Sequence, residues 1–327
     1  MTSKRIVIYR QGAIGDLVHT LALVKLIRKR EPVARIEFCC DPVTVKLLEQ
    51  CCDYIDQVWS INKASFMEDF AKVGTSKTDE FIFLHSQWHK AWWLNFRYIK
   101  ASKLFCYRYN AKLSAVANYV TARYPELEND LIKDPYAVLD HRALVHKNSR
   151  NAAIGPIVTN RQEYICIVPG VGKLRPHRAY PLTKWLEFIK TQIKTNDHAI
   201  KILGGPDEKD LSLELESLFA QDPQLQTSRI ENLIGKTSLV ELVSILAQTK
   251  MLYSADTGIL HIGAASGAKI TSIFAITDPA RFAPFSPDAR VLVSPNCQCQ
   301  LDSGKKKHCT NLKKNYASCL WGINLQN

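Results

Sequence analysis

The chain has 327 residues, of which 46% are hydrophobic and 23% are charged. This composition is typical of a folded globular protein and excludes disordered, collagen-like and low-complexity chains. At about 150 residues per domain, the length predicts two domains. No apolar run approaches the roughly 18–20 residues of a membrane-spanning helix. The first residues lack the apolar stretch of a signal peptide, so we expect a cytoplasmic protein.

Positive charge is in excess, with 43 Lys and Arg against 31 Asp and Glu, a net charge of +12. Such an excess predicts an anionic partner, which is a nucleic acid, a phosphorylated sugar or an anionic lipid surface. Residues 81–125, here called the basic aromatic segment, contain no acidic residue and interleave cations with Trp, Phe and Tyr. No helix-turn-helix, RNP or zinc-finger pattern is present, so nucleic acid is not the expected partner.

The first half of the chain alternates short apolar runs with helical patterns. Strands are predicted at 6–9, 35–39, 54–61 and 81–84, and helices at 16–30 and 42–51. A glycine turn, residues 11–15, joins the first strand to the first helix. A polar, irregular stretch at 148–161 predicts a linker.

The alternation starts again after this linker. Strands are predicted at 164–168, 199–203, 251–254, 270–276 and 291–294, and helices at 182–194, 207–219, 238–248 and after residue 258. Strands separated by helices in both halves predict two parallel-sheet α/β domains. In such sheets, ligands bind beyond the carboxyl ends of the strands, and here those positions carry glycine turns.

Two aspartates follow predicted strands at these turns. Asp16 lies at the start of a helix, so it is either the N-cap or a carboxylate that acts as a general base. Asp256 opens another helix, where exposed backbone amides suit a pyrophosphate and the carboxylate suits sugar hydroxyls. His261 lies one turn further on, and a capped helix with a core histidine is the alternative interpretation.

Together these patterns resemble glycosyltransferase family 9, the heptosyltransferases of lipopolysaccharide inner-core synthesis. The resemblance depends on three motifs that span nearly the whole chain: Arg10-x-Gly-Ala-Ile-Gly-Asp16-x-Val-His-Thr-Leu21, Gly204-Gly-Pro-x-Glu208, and Gly235-Lys-Thr-Ser-Leu239 with Asp256-Thr-Gly-x-x-His261. Ala22 departs from the family pattern, in which proline is common at that position. The match of Arg178-Ala-Tyr180-Pro181 to the family's basic residue before Trp-Pro is looser.

The resemblance implies the GT-B fold, with two Rossmann-like α/β domains whose parallel sheets face each other across an interdomain cleft. Residues 1–155 are expected to bind the acceptor and residues 156–310 the nucleotide-sugar, and residues 311–327 are candidates to cross back to the first domain. The implied reaction is inverting transfer of heptose from ADP-L-glycero-D-manno-heptose to Kdo-lipid A or a heptosyl acceptor. A GT-B sugar-nucleotide epimerase and a non-catalytic sugar-binding or assembly protein are the alternatives.

In this reaction Asp16 is the expected base, and no cofactor is expected to be required for catalysis. The residues expected to bind the donor are Gly170, Lys173, Arg178, Glu208, Lys236, Asp256, Thr257, Gly258 and His261. Those expected to bind the acceptor are Arg10, Gly12, Arg97, Lys103 and Arg108. The acceptor carries Kdo carboxylates and lipid A phosphates, so the basic aromatic segment is expected to contact an anionic membrane surface. The protein is therefore expected to be peripheral on the cytoplasmic face of the bacterial inner membrane.

Ten cysteines are present. Without a secretion signal, buried thiols or a metal site are expected rather than disulfides. The cysteines at 39, 40, 51 and 52 lie in predicted core elements. Cys297, Cys299, Cys309 and Cys319 form a candidate Zn²⁺ or Fe cluster. The CxC spacing differs from the usual CxxC, which favours unpaired thiols over a structural metal.

Overall fold

The computed structural model describes residues 3–140, 142–145, 164–173, 175–294, 312–313 and 316–325. The chain divides into two compact units, Met1–Ala153 and Ile154–Asn327. Each unit has its own parallel sheet with helices between successive strands. The α/β class predicted from the alternating pattern is therefore confirmed, while the linker predicted at 148–161 lies outside the described residues.

The first unit contains a five-stranded sheet. Its strands are β1 (Arg5–Tyr9), β2 (Arg35–Cys40), β3 (Gln57–Ser60), β4 (Glu80–Phe83) and β5 (Lys103–Cys106). Its α-helices are α1 (Ile14–Arg30), α2 (Val45–Cys51), α3 (Phe66–Val73), α4 (Trp88–Leu94), α5 (Ala115–Thr121), α6 (Glu128–Lys133) and α7 (Pro135–Val138). The strand order is β3-β2-β1-β4-β5 and each neighbouring pair is parallel.

Burial explains why the central strands are readily predicted from the sequence. Every residue of β1 and β4 is buried, because helices cover both faces of a parallel sheet and such strands form continuous apolar runs. The edge strand β5 has an exposed Lys103 followed by half-buried residues, so its sequence does not have the pattern of a buried strand. The helices α3, α4 and α5 were not predicted either.

The second unit contains a six-stranded sheet. Its strands are β6 (Tyr164–Val168), β7 (Ala199–Ile202), β8 (Ile230–Asn232), β9 (Met251–Ala255), β10 (Ile270–Phe274) and β11 (Arg290–Val293). Its α-helices are α8 (Leu182–Thr195), α9 (Lys209–Gln221), α10 (Leu239–Gln248), α11 (Gly258–Ala265) and α12 (Pro279–Phe282). The order is β11-β10-β9-β6-β7-β8, all parallel. The three-residue edge strand β8 was not predicted.

The C-terminal segment packs within the second unit. A two-stranded antiparallel pair, β12 (Leu312–Lys313) with β13 (Tyr316–Ala317), precedes a short 3₁₀ turn. Leu320 and Ile323 are buried in the second unit's core, and the Tyr180 hydroxyl donates a 2.6 Å hydrogen bond to the Ile323 carbonyl. The apolar side chains of the described part of this segment thus complete the second core, and the expectation that residues 311–327 cross back to the first domain stays a prediction.

Charged residues at the amino ends of the first sheet are paired inside the unit. Arg5 donates two hydrogen bonds, of 2.8 and 2.7 Å, to the carboxylate of buried Glu37. Arg123 binds both carboxylate oxygens of Glu80, which is fully buried. Burial alone would raise the pKa of Glu80, but hydrogen bonds from Lys4 and Arg123 lower it. These carboxylates are therefore held in the charged form and belong to the scaffold.

Candidate functional site

Asp16 lies on the first turn of α1, at the carboxyl edge of the first sheet. Its Oδ2 is 2.9 Å from Arg10 Nη2, and the Tyr119 hydroxyl donates a 3.4 Å hydrogen bond to Oδ1. Burial, followed by the charge of Asp16, raises the pKa of Tyr119, so Tyr119 is a neutral donor at neutral pH. The Asp16 side chain keeps 38% of its surface exposed. The carboxylate is thus fixed by its neighbours and still accessible to a hydroxyl group from solvent.

The N-cap interpretation of Asp16 is wrong. Ala13 occupies the N-cap with an extended backbone, and no side chain caps the helix. Helical backbone begins at Ile14, so Asp16 is the third helical residue, where the positive end of the helix dipole still favours a carboxylate. Its side chain is directed to Arg10 and Tyr119 instead of the helix amides, which leaves its role as a base a prediction.

The guanidinium group of Arg10 has partners within the first unit. It is only 8% exposed, and its Nη1 donates a 3.1 Å hydrogen bond to the Leu84 carbonyl while Nη2 pairs with Asp16. Both terminal nitrogens of Arg10 therefore have partners within the first unit, and Arg10 orients Asp16. Gly12 adopts a positive φ of 122°, which favours glycine, and its amide donates to Asp41 Oδ2 at 2.6 Å.

Two polar residues at this edge were missed in the sequence. His85 follows β4 by two residues, and its Nδ1 is buried with no hydrogen-bond partner among the described residues. Burial first, then the charges of Arg10 and Lys90, lower the pKa of His85. The Lys90 ammonium lies 4.1 Å from the centre of the Phe66 ring, and burial lowers its pKa. The signal for His85 was its position directly after the strand predicted at 81–84, and the signal for Lys90 was its place in the basic aromatic segment.

The remaining acceptor candidates are not brought together. Arg97 is exposed on the π-helical turn Asn95–Ile99 that continues α4. Lys103 begins β5 and so lies at the amino edge of the sheet, opposite Asp16. Arg108 is exposed just beyond the carboxyl end of β5, on the same edge as Asp16. Its neighbour Tyr107 packs its ring 5.1 Å from that of Tyr119.

In the second unit, three of the predicted donor residues form one cluster at the carboxyl end of β9. Asp256 is 5% exposed; its Oδ2 lies 2.8 Å from Arg178 Nη1 and its Oδ1 lies 3.8 Å from His261 Nε2. Burial alone would raise the pKa of Asp256, but His261, Arg178 and Thr277 together lower it. Asp256 is therefore a buried carboxylate that fixes Arg178, rather than an exposed acceptor for sugar hydroxyls.

The helix after Asp256 begins as the sequence predicts. Thr257 is the N-cap of α11, and its hydroxyl accepts a 3.3 Å hydrogen bond from the Leu260 amide. Gly258 is the first helical residue. His261 is buried on the same helix, one turn later. This leaves the first amides of α11 next to the Arg178–Asp256 pair, a combination that suits an anion.

Glu208 connects two glycine loops at the ends of the neighbouring strands β6 and β7. Its Oε1 accepts a 2.7 Å hydrogen bond from the Gly172 amide, and its Oε2 accepts a 2.9 Å bond from the Gly205 amide. A Cβ atom on Gly170 would lie 2.1 Å from Glu208 Oε1, so only glycine leaves room for this carboxylate. Burial is the main cause that raises the pKa of Glu208.

The two predicted donor lysines lie on the surface. Lys173 is 3.4 Å from Asp210 Oδ2, and Lys236 is 3.6 Å from Glu216 Oε1. All four side chains are largely exposed, and exposed ion pairs of this kind contribute little to stability. Both lysines are thus able to leave these partners for a stronger anion.

The cysteines divide into a described and an undescribed group. Cys39, Cys40, Cys51 and Cys52 are buried core residues, as predicted. Cys297, Cys299 and Cys309 lie outside the described residues, and the Cys319 carbonyl accepts a hydrogen bond from Ser294. In the part of the chain that the structure describes, no group of three His, Cys, Asp or Glu side chains is placed to hold a metal ion, and no helix has the length and hydropathy to cross a membrane.

Comparison with known proteins gives the same family as the motifs. The profile of glycosyltransferase family 9 (heptosyltransferase) matches residues 89–313, more than half of the chain. Lipooligosaccharide heptosyltransferase 2 of Haemophilus influenzae is 27% identical over 123 residues, 38% of this chain and 33% of that protein. Lipopolysaccharide heptosyltransferase 2 of Salmonella typhimurium is 22% identical over 135 residues, 41% of this chain and 37% of that protein. The aligned segments thus span only about a third of each relative.

Solved structures show the same architecture along most of the chain. E. coli ADP-heptose lipopolysaccharide heptosyltransferase II is similar with a TM-score of 0.75 at 18% identity, covering 99% of this chain and 95% of that one. A family 9 glycosyltransferase of Veillonella parvula has a TM-score of 0.70 at 18% identity, covering 98% and 93%. At this identity the likeness shows the fold alone, and it confirms the GT-B fold.

Proposed function

Since the chain belongs to glycosyltransferase family 9, the heptosyltransferase family, we propose that it transfers heptose from ADP-L-glycero-D-manno-heptose to an acceptor of the lipopolysaccharide inner core, Kdo-lipid A or a heptosyl sugar. The observation that carries this proposal is the Asp16 carboxylate, accessible and fixed by buried Arg10 within the motif that resembles the family. The E. coli structural neighbour is an ADP-heptose lipopolysaccharide heptosyltransferase, which supports the choice of donor.

In the proposed reaction, Asp16 accepts the proton of the acceptor hydroxyl. The hydroxyl oxygen then forms a bond to the anomeric carbon while the bond from that carbon to the phosphate oxygen breaks, and ADP leaves with the electron pair. A single displacement inverts the configuration at the anomeric carbon. A positioned general base of this kind contributes roughly 10²–10⁴-fold to the rate.

The second unit is proposed to hold ADP-heptose and stabilise the leaving diphosphate. Arg178, oriented by Asp256, and the first amides of α11 supply positive charge and donors. Lys173 supplies a further charge from the loop that Glu208 braces. Each hydrogen bond to a charged group contributes about 1.5–3 kcal/mol, so several have to act together. No metal is needed for this arrangement of donors.

An anionic membrane surface is the proposed partner that presents the lipid-linked acceptor, with the protein peripheral on the cytoplasmic face of the inner membrane. Three aromatic side chains spaced by four residues form what we call the aromatic stripe: Trp88, Trp92 and Phe96 are 69%, 60% and 69% exposed. The Trp92 and Phe96 rings stack, with centres 5.5 Å apart. Exposed Arg97 and Lys100 follow on the same segment. Amphipathic aromatics beside cations favour anionic lipid interfaces.

The test of the proposal is incubation of the purified protein with ADP-heptose, with and without Kdo-lipid A. Release of ADP that requires the acceptor supports transfer. Formation of a new heptose isomer without acceptor would instead support a sugar-nucleotide epimerase. Tight donor binding without any turnover would support a non-catalytic sugar-binding protein.

A further inference from the structure

Lys90 differs from the other partly buried cations of the first unit. Arg5 is paired with Glu37, and Arg123 with Glu80. Within the described residues Lys90 has no carboxylate at ion-pair distance, and its ammonium lies 4.1 Å from the centre of the Phe66 ring. A cation–π contact contributes about 0.5–1 kcal/mol at an exposed site, and partial burial of the Lys90 charge lowers the pKa of the ammonium. A partly buried lysine that contacts a ring and has no counter-ion is expected where the partner of the lysine is a ligand.

Lys90 and His85 lie against the same cluster of aromatic rings, near the edge of the sheet where Asp16 lies. The Phe66 ring under the Lys90 ammonium is 6.4 Å from Tyr9. Tyr9 stacks on Phe83 at 4.9 Å, and Phe83 is 6.3 Å from the His85 ring. Tyr9 directly precedes the arginine that holds Asp16. The two residues are therefore placed at the border of the proposed acceptor site.

The acceptor's negative charge needs a cation other than Arg10 at this border. Arg10 is nearly buried, with one terminal nitrogen on Asp16 and the other on the Leu84 carbonyl. His85 follows Leu84 directly, and its Nδ1 has no partner among the described residues. Lys90 carries the charge that Arg10 cannot offer, and the His85 imidazole adds a neutral hydrogen-bonding group.

We propose that Lys90 and His85 form a subsite that binds an anionic group of the acceptor, a carboxylate or a phosphate, beside the hydroxyl that Asp16 deprotonates. The subsite rests on the proposed function, since it takes the first unit as the acceptor domain. It orients the acceptor through a charge that lies apart from the reacting hydroxyl, so it acts on acceptor binding and not on the donor.

The test uses Lys90→Met, which keeps a long apolar stem over Phe66 and removes only the charge. The KM for Kdo-lipid A is expected to rise roughly 10- to 100-fold, with the KM for ADP-heptose unchanged. His85→Phe keeps the ring against Phe83 and is expected to raise the acceptor KM by about 3- to 10-fold. Lys77→Met, an exposed lysine before the amino end of β4, is the matched control and should match the wild type.

Calorimetry at low ionic strength separates the two sources of the anion without requiring turnover. Kdo is the carboxylate probe and inorganic phosphate is the phosphate probe. The wild type and Lys77→Met should bind one of them, and Lys90→Met should bind it roughly 10- to 100-fold more weakly. Equal binding by Lys90→Met, or no binding of either probe to the wild type, would overturn the subsite. A wild type that binds the probe but releases no ADP would count against the proposed function alone.

Discussion

The Asp256→Asn substitution separates two roles for the carboxylate. The sequence suggests that Asp256 accepts hydrogen bonds from donor hydroxyls, whereas the structure has it buried between Arg178 and His261. The asparagine keeps the volume and removes the charge that pairs with Arg178. If Asp256 acts by fixing Arg178, the substitution should reduce the stability of the second unit as well as its affinity for ADP.

The expected loss of stability follows from the geometry of the pair. Removing one partner of a buried ion pair costs about 3–5 kcal/mol. The amide oxygen still accepts one hydrogen bond, so we expect about 3 kcal/mol, at the lower end. For a unit of this size the melting temperature changes by roughly 2–4 °C per kcal/mol. Asp256→Asn should therefore lower the melting temperature by about 6–12 °C.

The same pair predicts a dependence on pH. The folded-state pKa of Asp256 is lowered, so its contribution is complete above the ordinary value of about 3.9 and is lost as the pH falls through the folded-state pKa. The stability difference between wild type and variant should be present between about pH 5 and pH 7 and should shrink below about pH 4. Denaturant unfolding across this range measures it.

The control is Asp288→Asn, an exposed aspartate of the second unit, which should melt like the wild type. Reduced ADP-heptose affinity in Asp256→Asn with an unchanged melting temperature would refute the positioning role. In that case the carboxylate would act on the donor directly, as the sequence suggests.

Three further predictions concern the base, the donor loops and the membrane surface. Asp16→Asn should lower turnover by about 10²–10⁴-fold with little change in ADP-heptose affinity, as initial rates and calorimetry would measure; near-normal turnover would exclude it as the base. Gly170→Ala should displace Glu208 from the amides it holds. ADP binding should weaken at least about threefold, which corresponds to roughly one broken hydrogen bond. The control Gly322→Ala places no atom within 4 Å of the new Cβ and should bind ADP normally. Sedimentation with anionic liposomes should decrease at high salt and in Trp92→Ser; adsorption that salt and the substitution leave unchanged would contradict the aromatic stripe.

The central strands are the parts of the fold that the sequence predicts most directly, because their residues are buried on both faces. The runs around Val7 and Ile167 are apolar throughout because helices cover both sides of a central parallel strand. The edge strands β5 and β8 lack this pattern and were not predicted, whereas the edge strands β3 and β11, which are also half-exposed, were predicted. Long helices with clear boundaries were predicted. The short helix α4 was not predicted, because its exposed aromatic residues do not fit the pattern of apolar residues on a buried face.

The site could be predicted in its positions but not in its contacts. Asp16, Glu208 and Asp256 were identified because each follows the end of a strand in a motif. Their partners depend on long-range packing: Arg178 is 78 residues from Asp256 in the chain, and Tyr119 is 103 residues from Asp16. Asp16 shows the limit of local rules. Aspartate is a good N-cap residue, but Ala13 is the N-cap here, and Asp16, as the third helical residue, has a different role.

The proposed transfer of heptose from a nucleotide to an inner-core acceptor is tested by ADP release from ADP-heptose, measured with Kdo-lipid A present and absent in parallel with Asp16→Asn. We expect release that requires acceptor and is lost in the variant. Release at equal rates without acceptor, or no release by the wild type with either Kdo-lipid A or a heptosylated acceptor, would contradict it.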